Sequence, residues 1–104
     1  MNILRVTPGK QPEAVEIDGS LKSMQQIVGG LIQAIYPWAD PVALVCNDEG
    51  KLLGLEPNRI LMNEEGEVYD IICGPFFVCG LGKDDFASLS PELMERYRQV
   101  FSLW

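Results

Sequence analysis

The chain has no histidine, and its three cysteines, Cys46, Cys73 and Cys79, form no Cys-x-x-Cys pair. The absence of histidine removes the usual general base at neutral pH, every Ser-His-Asp or Cys-His arrangement and the commonest zinc ligand. Most hydrolase chemistry falls with it. An odd cysteine count behind Met1-Asn2-Ile3-Leu4-Arg5, which is not a basic stretch leading into an apolar one, argues against a disulfide framework and for a reducing, cytoplasmic location. Positive charge is scarce: eight Lys and Arg stand against fifteen Asp and Glu, a net charge of −7. Clustered cations are needed to neutralise phosphates, so direct nucleic-acid binding is not expected. Long greasy runs are missing as well. The longest, Ile27 to Trp38, is short for a span and contains Gln33 and Pro37, so no membrane association is expected.

What remains is ordinary globular composition, 47% apolar and 22% charged over 104 residues. One domain, residues 1–104, can bury roughly two thirds of its unfolded surface around one core without a metal or disulfide staple. The negative charge is unevenly placed. Residues 1–39 carry three acids and three bases, residues 40–70 eight and two, and residues 71–104 four and three. The middle third is read as a solvated acidic face or, alternatively, a surface dedicated to a partner.

Alternation over residues 2–7 and again over Ala14 to Ile17 predicts two strands separated by a turn with Pro8 and Pro12. Ser20 caps a short helix in which Leu21, Met24, Ile27 and Val28 recur at helical spacing, and Gly29-Gly30 end it. Leu31 to Tyr36 and the unbroken apolar Val42 to Cys46 predict two further strands. Asn47-Asp48-Glu49-Gly50 predicts a reversal, with Gly50 at positive φ, into Lys51-Leu52-Leu53 as a hairpin. Residues 54–59 read as irregular, Ile60-Leu61-Met62 as a short strand, and Val68 to Val78 as an extended run bent at Gly74-Pro75. The last element is the clearest: Ser90 caps, Pro91 takes the first helical position, and Leu89 with Met94 forms a staple. Leu93, Tyr97, Val100 and Trp104 make one stripe widened by Phe101, and Glu92 faces Arg96 as an i,i+4 pair. The stripe is a core-packing face or, in a sharper reading, a homodimer contact at Phe101 and Trp104.

Few residues could carry chemistry. The cysteines sit in apolar contexts that keep thiols protonated and inert. Asp48, Glu49, Glu64, Glu65, Glu67 and Asp70 are hard carboxylates, but their spacing does not match a calcium loop. Gly80-Leu81-Gly82-Lys83 lacks the P-loop spacing and the hydroxyl residue after the lysine, so it reads as a turn. No cofactor pattern is present. Asn58 and Arg59 are the more suggestive pair, because Asn offers a donor and an acceptor together and Arg a fork for carboxylate or phosphate. They either grip a ligand or brace the fold, Arg59 pairing with a nearby acid and Asn58 capping a turn. On a strand, the Phe76 and Phe77 rings point to opposite sides, so one fills the core and the other covers a helix or an exposed pocket.

The ordered segments NDEGKLLGLEPNRIL, EVYDIICGPFFVCGLG and DDFASLSPELMERYRQVF, with SLKSMQQIVGGLI before them, resemble domain of unknown function 3846. The family-like positions are Gly54, Leu55, Pro57, Asn58, Arg59, Gly74, Phe76, Phe77 and Gly80. The chain departs from the family pattern where Glu56 precedes Pro57 and where Pro75 replaces a small polar residue. The resemblance implies a small protein of phages, plasmids and conjugative elements of bacteria, with no established activity. The fold class expected is α+β: a mainly antiparallel, bent sheet of about five to seven strands, a short helix after the second strand and a C-terminal helix packed on the sheet. The function expected is a non-enzymatic binding module for a protein or small-molecule partner, with Asn58, Arg59 and a ring of the Phe76-Phe77 pair lining the contact. Two alternatives are an acidic decoy that imitates DNA before a host nucleic-acid-binding protein and a small metal-dependent enzyme built on the Glu64 to Asp70 acids.

Overall fold

Six consecutive residues, Val42 to Asn47, are buried without exception. They can be so only because this strand is covered on both faces and paired along both edges. A computed structural model describes residues 1–103 and places it in the order β1 (Asn2–Val6), β2 (Glu13–Glu16), α1 (Leu21–Val28), β3 (Ile32–Ile35), β4 (Val42–Asn47), β5 (Pro57–Met62), β6 (Val68–Cys73), β7 (Phe76–Leu81), β8 (Phe86–Ala87), α2 (Pro91–Val100). The main sheet runs β2-β1-β7-β4-β3 and is antiparallel throughout. Gly80 pairs with Val42 on one side and Ala87 on the other, so β8 extends the β1 side of β7. Strands β5 and β6 form a separate two-stranded sheet.

The period of two along β7 divides the core. Phe76 and Val78 join Leu4, Val6, Val42 and Leu44 on one face, which α2 covers with Tyr97 and Phe101 and the β5-β6 hairpin with Leu61 and Ile72. Phe77 and Cys79 join Ile3, Ala43 and Val45 on the other, under Met24 and Val28 of α1. The rings of Phe76 and Phe101 meet edge to face, their centroids 5.2 Å apart, a favoured aromatic geometry. Both helices are capped by serine: Ser20 Oγ accepts from Ser23 N–H at 3.1 Å and Ser90 Oγ from Leu93 N–H at 3.3 Å. Helix α1 ends at Gly29, whose φ of +78° suits glycine.

Several expectations change. The strands number eight among the described residues, above the five to seven predicted. Lys51-Leu52-Leu53 is a turn rather than a hairpin strand, because β3 and β7 already occupy both edges of β4. Gly50 is not at positive φ; its glycine is required by space, since a Cβ there would lie 2.6 Å from the Cys73 carbonyl oxygen. The segment read as irregular becomes strand from Pro57 onward. The Val68 to Val78 run is two strands in two sheets, parted by Gly74 at φ +86°. On α2, Val100 points to solvent, and Phe101 is 2% exposed, so its ring is core rather than a contact between copies; Trp104 lies outside the described residues. Arg96 pairs not with Glu92 but with Asp40, at 2.7 Å.

Candidate functional site

Asn58 and Arg59 open β5 where the hairpin meets the main sheet. Asn58 Nδ2 donates to two backbone carbonyls, Val6 O and Gly74 O, both at 2.9 Å. One amide thus joins the end of β1 to the turn between β6 and β7. The Arg59 guanidinium spreads across the same seam: Nε donates to Phe101 O at 3.0 Å, Nη2 to Lys10 O at 2.8 Å, and Nη1 to Asn58 Oδ1 at 2.7 Å and Asn58 O at 3.1 Å. Among the described residues, no carboxylate pairs with it. Partial burial lowers its pKa from the ordinary arginine value, yet a guanidinium remains charged at neutral pH. Its Nε donor caps the C-terminal end of α2, where the helix dipole is negative and cations are favoured. The groups a ligand would need are therefore engaged inside the fold. Phe76 and Phe77 do lie on opposite faces of β7, but both are 0% exposed, so neither ring reaches a surface.

Two accessible features lie beside that seam. Strand alternation sends Leu61 and Ile72 inward and leaves Ile60, Met62, Val68, Tyr69 and Ile71 between 45% and 64% exposed. Ile60 stands directly across from Ile71 and Met62 across from Val68, while a register shift leaves Tyr69 as an extra residue on β6. An apolar face on a two-stranded sheet is the result. Acids edge it: Glu56 precedes β5, and Glu65 and Glu67 lie in the turn between β5 and β6, where Glu64 is turned to Ala39 N–H instead. Only two cations lie in residues 40–70, and both are occupied, Arg59 as above and Lys51 in an ion pair with Asp70.

A cleft of about 250 Å³ opens between β6 and the turn after β4, lined by Gln33, Cys46, Lys51, Asp70 and Cys73 among others. It falls short of the roughly 300 Å³ at which ligand pockets begin. Burial, with help from Asp70 and Asp48, pushes the Cys46 thiol up to about 11, and burial pushes Cys79 up to about 12. Neither thiol is ionised at neutral pH, so neither is an activated nucleophile. The carboxylates considered as metal ligands are put to other uses. Glu64 Oε1 accepts from Ala39 N–H at 2.6 Å, Asp70 holds Lys51, and no group of three or more acidic, cysteine or histidine side chains converges among the described residues.

A family model described as "Domain of unknown function (DUF3846)" matches residues 1–102. The chain belongs to this family. No curated protein and no solved structure matches it. In this DUF3846 domain, sequence reasoning found the Asn58-Arg59 seam but not its acceptors, which come from positions 6, 10, 74 and 101. It missed the outer face of the β5-β6 hairpin, because Ile60, Leu61 and Met62 are all apolar and carry no alternation that separates the buried side from the exposed one.

Proposed function

We propose that this domain is a small non-enzymatic binding module for a protein partner, and that the outer face of the β5-β6 hairpin is its contact surface. The observation that carries the reading is the run of exposed apolar side chains, Ile60, Met62, Val68, Tyr69 and Ile71, on one face of a strand pair. Large contiguous apolar exposure is unusual on a monomer and marks interaction sites. The acidic edge specifies the partner's chemistry: an apolar centre with a basic rim, since interfaces are arranged with complementary potential. A protein partner suits this open face better than a small ligand suits the adjacent cleft. In this reading the Asn58-Arg59 seam holds the hairpin in place and does not touch the partner. The family resemblance supports a role as an accessory protein of a phage or other mobile element, acting in the bacterial cytoplasm.

The acidic decoy is a weaker reading. Of the eight acids in residues 40–70, Asp40, Glu64 and Asp70 are spent on internal partners, which breaks up a phosphate-like track. The test replaces Ile60 and Ile71 together by Ser and compares affinity capture from host cells with the unaltered protein. A discrete basic protein lost from the double variant, with an unchanged melting temperature, is the expected outcome. An identical capture profile for both proteins would refute the assignment of this face.

A further inference from the structure

The two ends of the main sheet are built differently. Strand β2 carries Glu13 and Glu16, follows Pro12, and has Arg5 of the neighbouring strand paired with Glu13. Charges and prolines of this kind keep an edge from pairing with another chain. Strand β3, at the opposite end, carries no charge, and its flanking proline, Pro37, falls after Tyr36 rather than within the strand. Its sequence is Ile-Gln-Ala-Ile, and residues 23–39 around it contain no charged side chain. In a protein of net charge −7, this strand brings no charge of its own to the edge, and the charges beside its end, at Tyr36, are Lys83 together with Asp84 and Asp85.

The hydrogen-bond pattern shows which backbone groups that edge offers. Asp48 N–H donates to Leu31 O at 2.8 Å, in register with the β3-β4 pairs that follow, Ile32 with Asn47 and Gln33 with Cys46. In an antiparallel ladder, successive residues alternate in the side to which their peptide groups point. Leu31, Gln33 and Ile35 therefore face β4, while Ile32 and Ala34 turn their N–H and C=O groups to the open edge, and Tyr36, just past the end of β3, is next in that alternation. That set is self-complementary. An antiparallel copy centred on Ala34 sets Ala34 against the partner's Ala34, and Ile32 against the partner's Tyr36, with reciprocal hydrogen bonds at each pair. The small Ala34 side chain at the twofold axis lets the two strands close, and Tyr36, 57% exposed, gains an apolar neighbour across the junction.

We propose that a second copy of this chain pairs with β3 edge to edge, making one continuous antiparallel sheet through a twofold axis at Ala34. The contact is separate from the hairpin face and leaves that face open in both copies.

Sedimentation velocity over a wide concentration range tests it. The unaltered chain reaches twice its 11.6 kDa mass at high concentration. Ala34→Pro removes an N–H on the side away from β4, the strand that β3 pairs with among the described residues, at a position where an edge strand accepts proline. Tyr36→Glu places a carboxylate opposite the partner's Ile32 without touching the core. Both variants are expected to stay folded, with native circular dichroism and a cooperative melt, and to lose the dimer. A chain that stays monomeric at every concentration overturns the proposal. So does a dimer that persists in folded Ala34→Pro and Tyr36→Glu; if the proline variant fails to fold, Tyr36→Glu decides alone.

Discussion

Replacing Arg59 by Ala removes a fork that bonds the end of α2, the loop after β1 and the start of β5 at once. Its acceptors are Phe101 O, Lys10 O and two oxygens of Asn58. Hydrogen bonds from a charged donor are worth roughly 1.5–3 kcal/mol each when buried and less when water competes. The Lys10 contact is exposed and the others only partly buried, so a total of about 3 kcal/mol is reasonable for the set. For a domain of this size that corresponds to a fall in melting temperature of roughly 12–24 °C. Differential scanning calorimetry with urea unfolding as a cross-check reads both quantities. Arg59→Lys keeps the charge but not the planar fork and should recover less than half of the loss. A loss below about 1 kcal/mol, within the range of exposed polar contacts, would refute the bracing role and return Arg59 to the list of ligand-binding residues.

Tyr97 donates its hydroxyl to Asp40 Oδ2 at 2.8 Å beneath Trp38, so Tyr97→Phe should cost about 1–2 kcal/mol, measured by urea unfolding. It should also bring the Asp40 carboxyl back toward its ordinary pKa in an NMR titration, because the Tyr97 hydrogen bond is the main cause of its lowering, ahead of Arg96. Stability should fall in acid. Asp18 is held down to about 2, chiefly by hydrogen bonds from Ser20, and Asp40 and Asp70 are lowered by Tyr97 with Arg96 and by Lys51. Carboxylates with lowered native pKa bind protons more readily when unfolded, so their stabilisation is present above about pH 4 and is lost toward about pH 2. Melting temperatures across that range check the sign; a flat profile would contradict it.

The legible parts of this fold were those whose determinants lie close together in the chain. The Ser90-Pro91 start of α2, the Ser20 cap and Gly29 end of α1, and the apolar run Val42 to Cys46 of β4 each follow from a few neighbouring residues. The illegible parts depended on partners distant in sequence. Nothing local shows that β3 and β7 will claim both edges of β4, so Lys51 to Leu53 reads as a hairpin arm when it is a turn. The same holds at the candidate site. Asn58 and Arg59 have the chemistry of a ligand grip, and only the folded chain brings Val6, Lys10, Gly74 and Phe101 carbonyls to them. Ile60, Met62 and Ile71 read simply as strand residues, because an apolar residue does not announce that its neighbours, Leu61 and Ile72, will fill the interior instead.

The most direct test of the hairpin face is site-specific photo-crosslinking in the host cell, with the reactive residue placed at Ile60 and, as a comparison, at exposed Leu21 on α1. The account predicts a discrete adduct to a basic protein from position 60 that is absent from position 21. No adduct at position 60, or the same adduct from both positions, would contradict it.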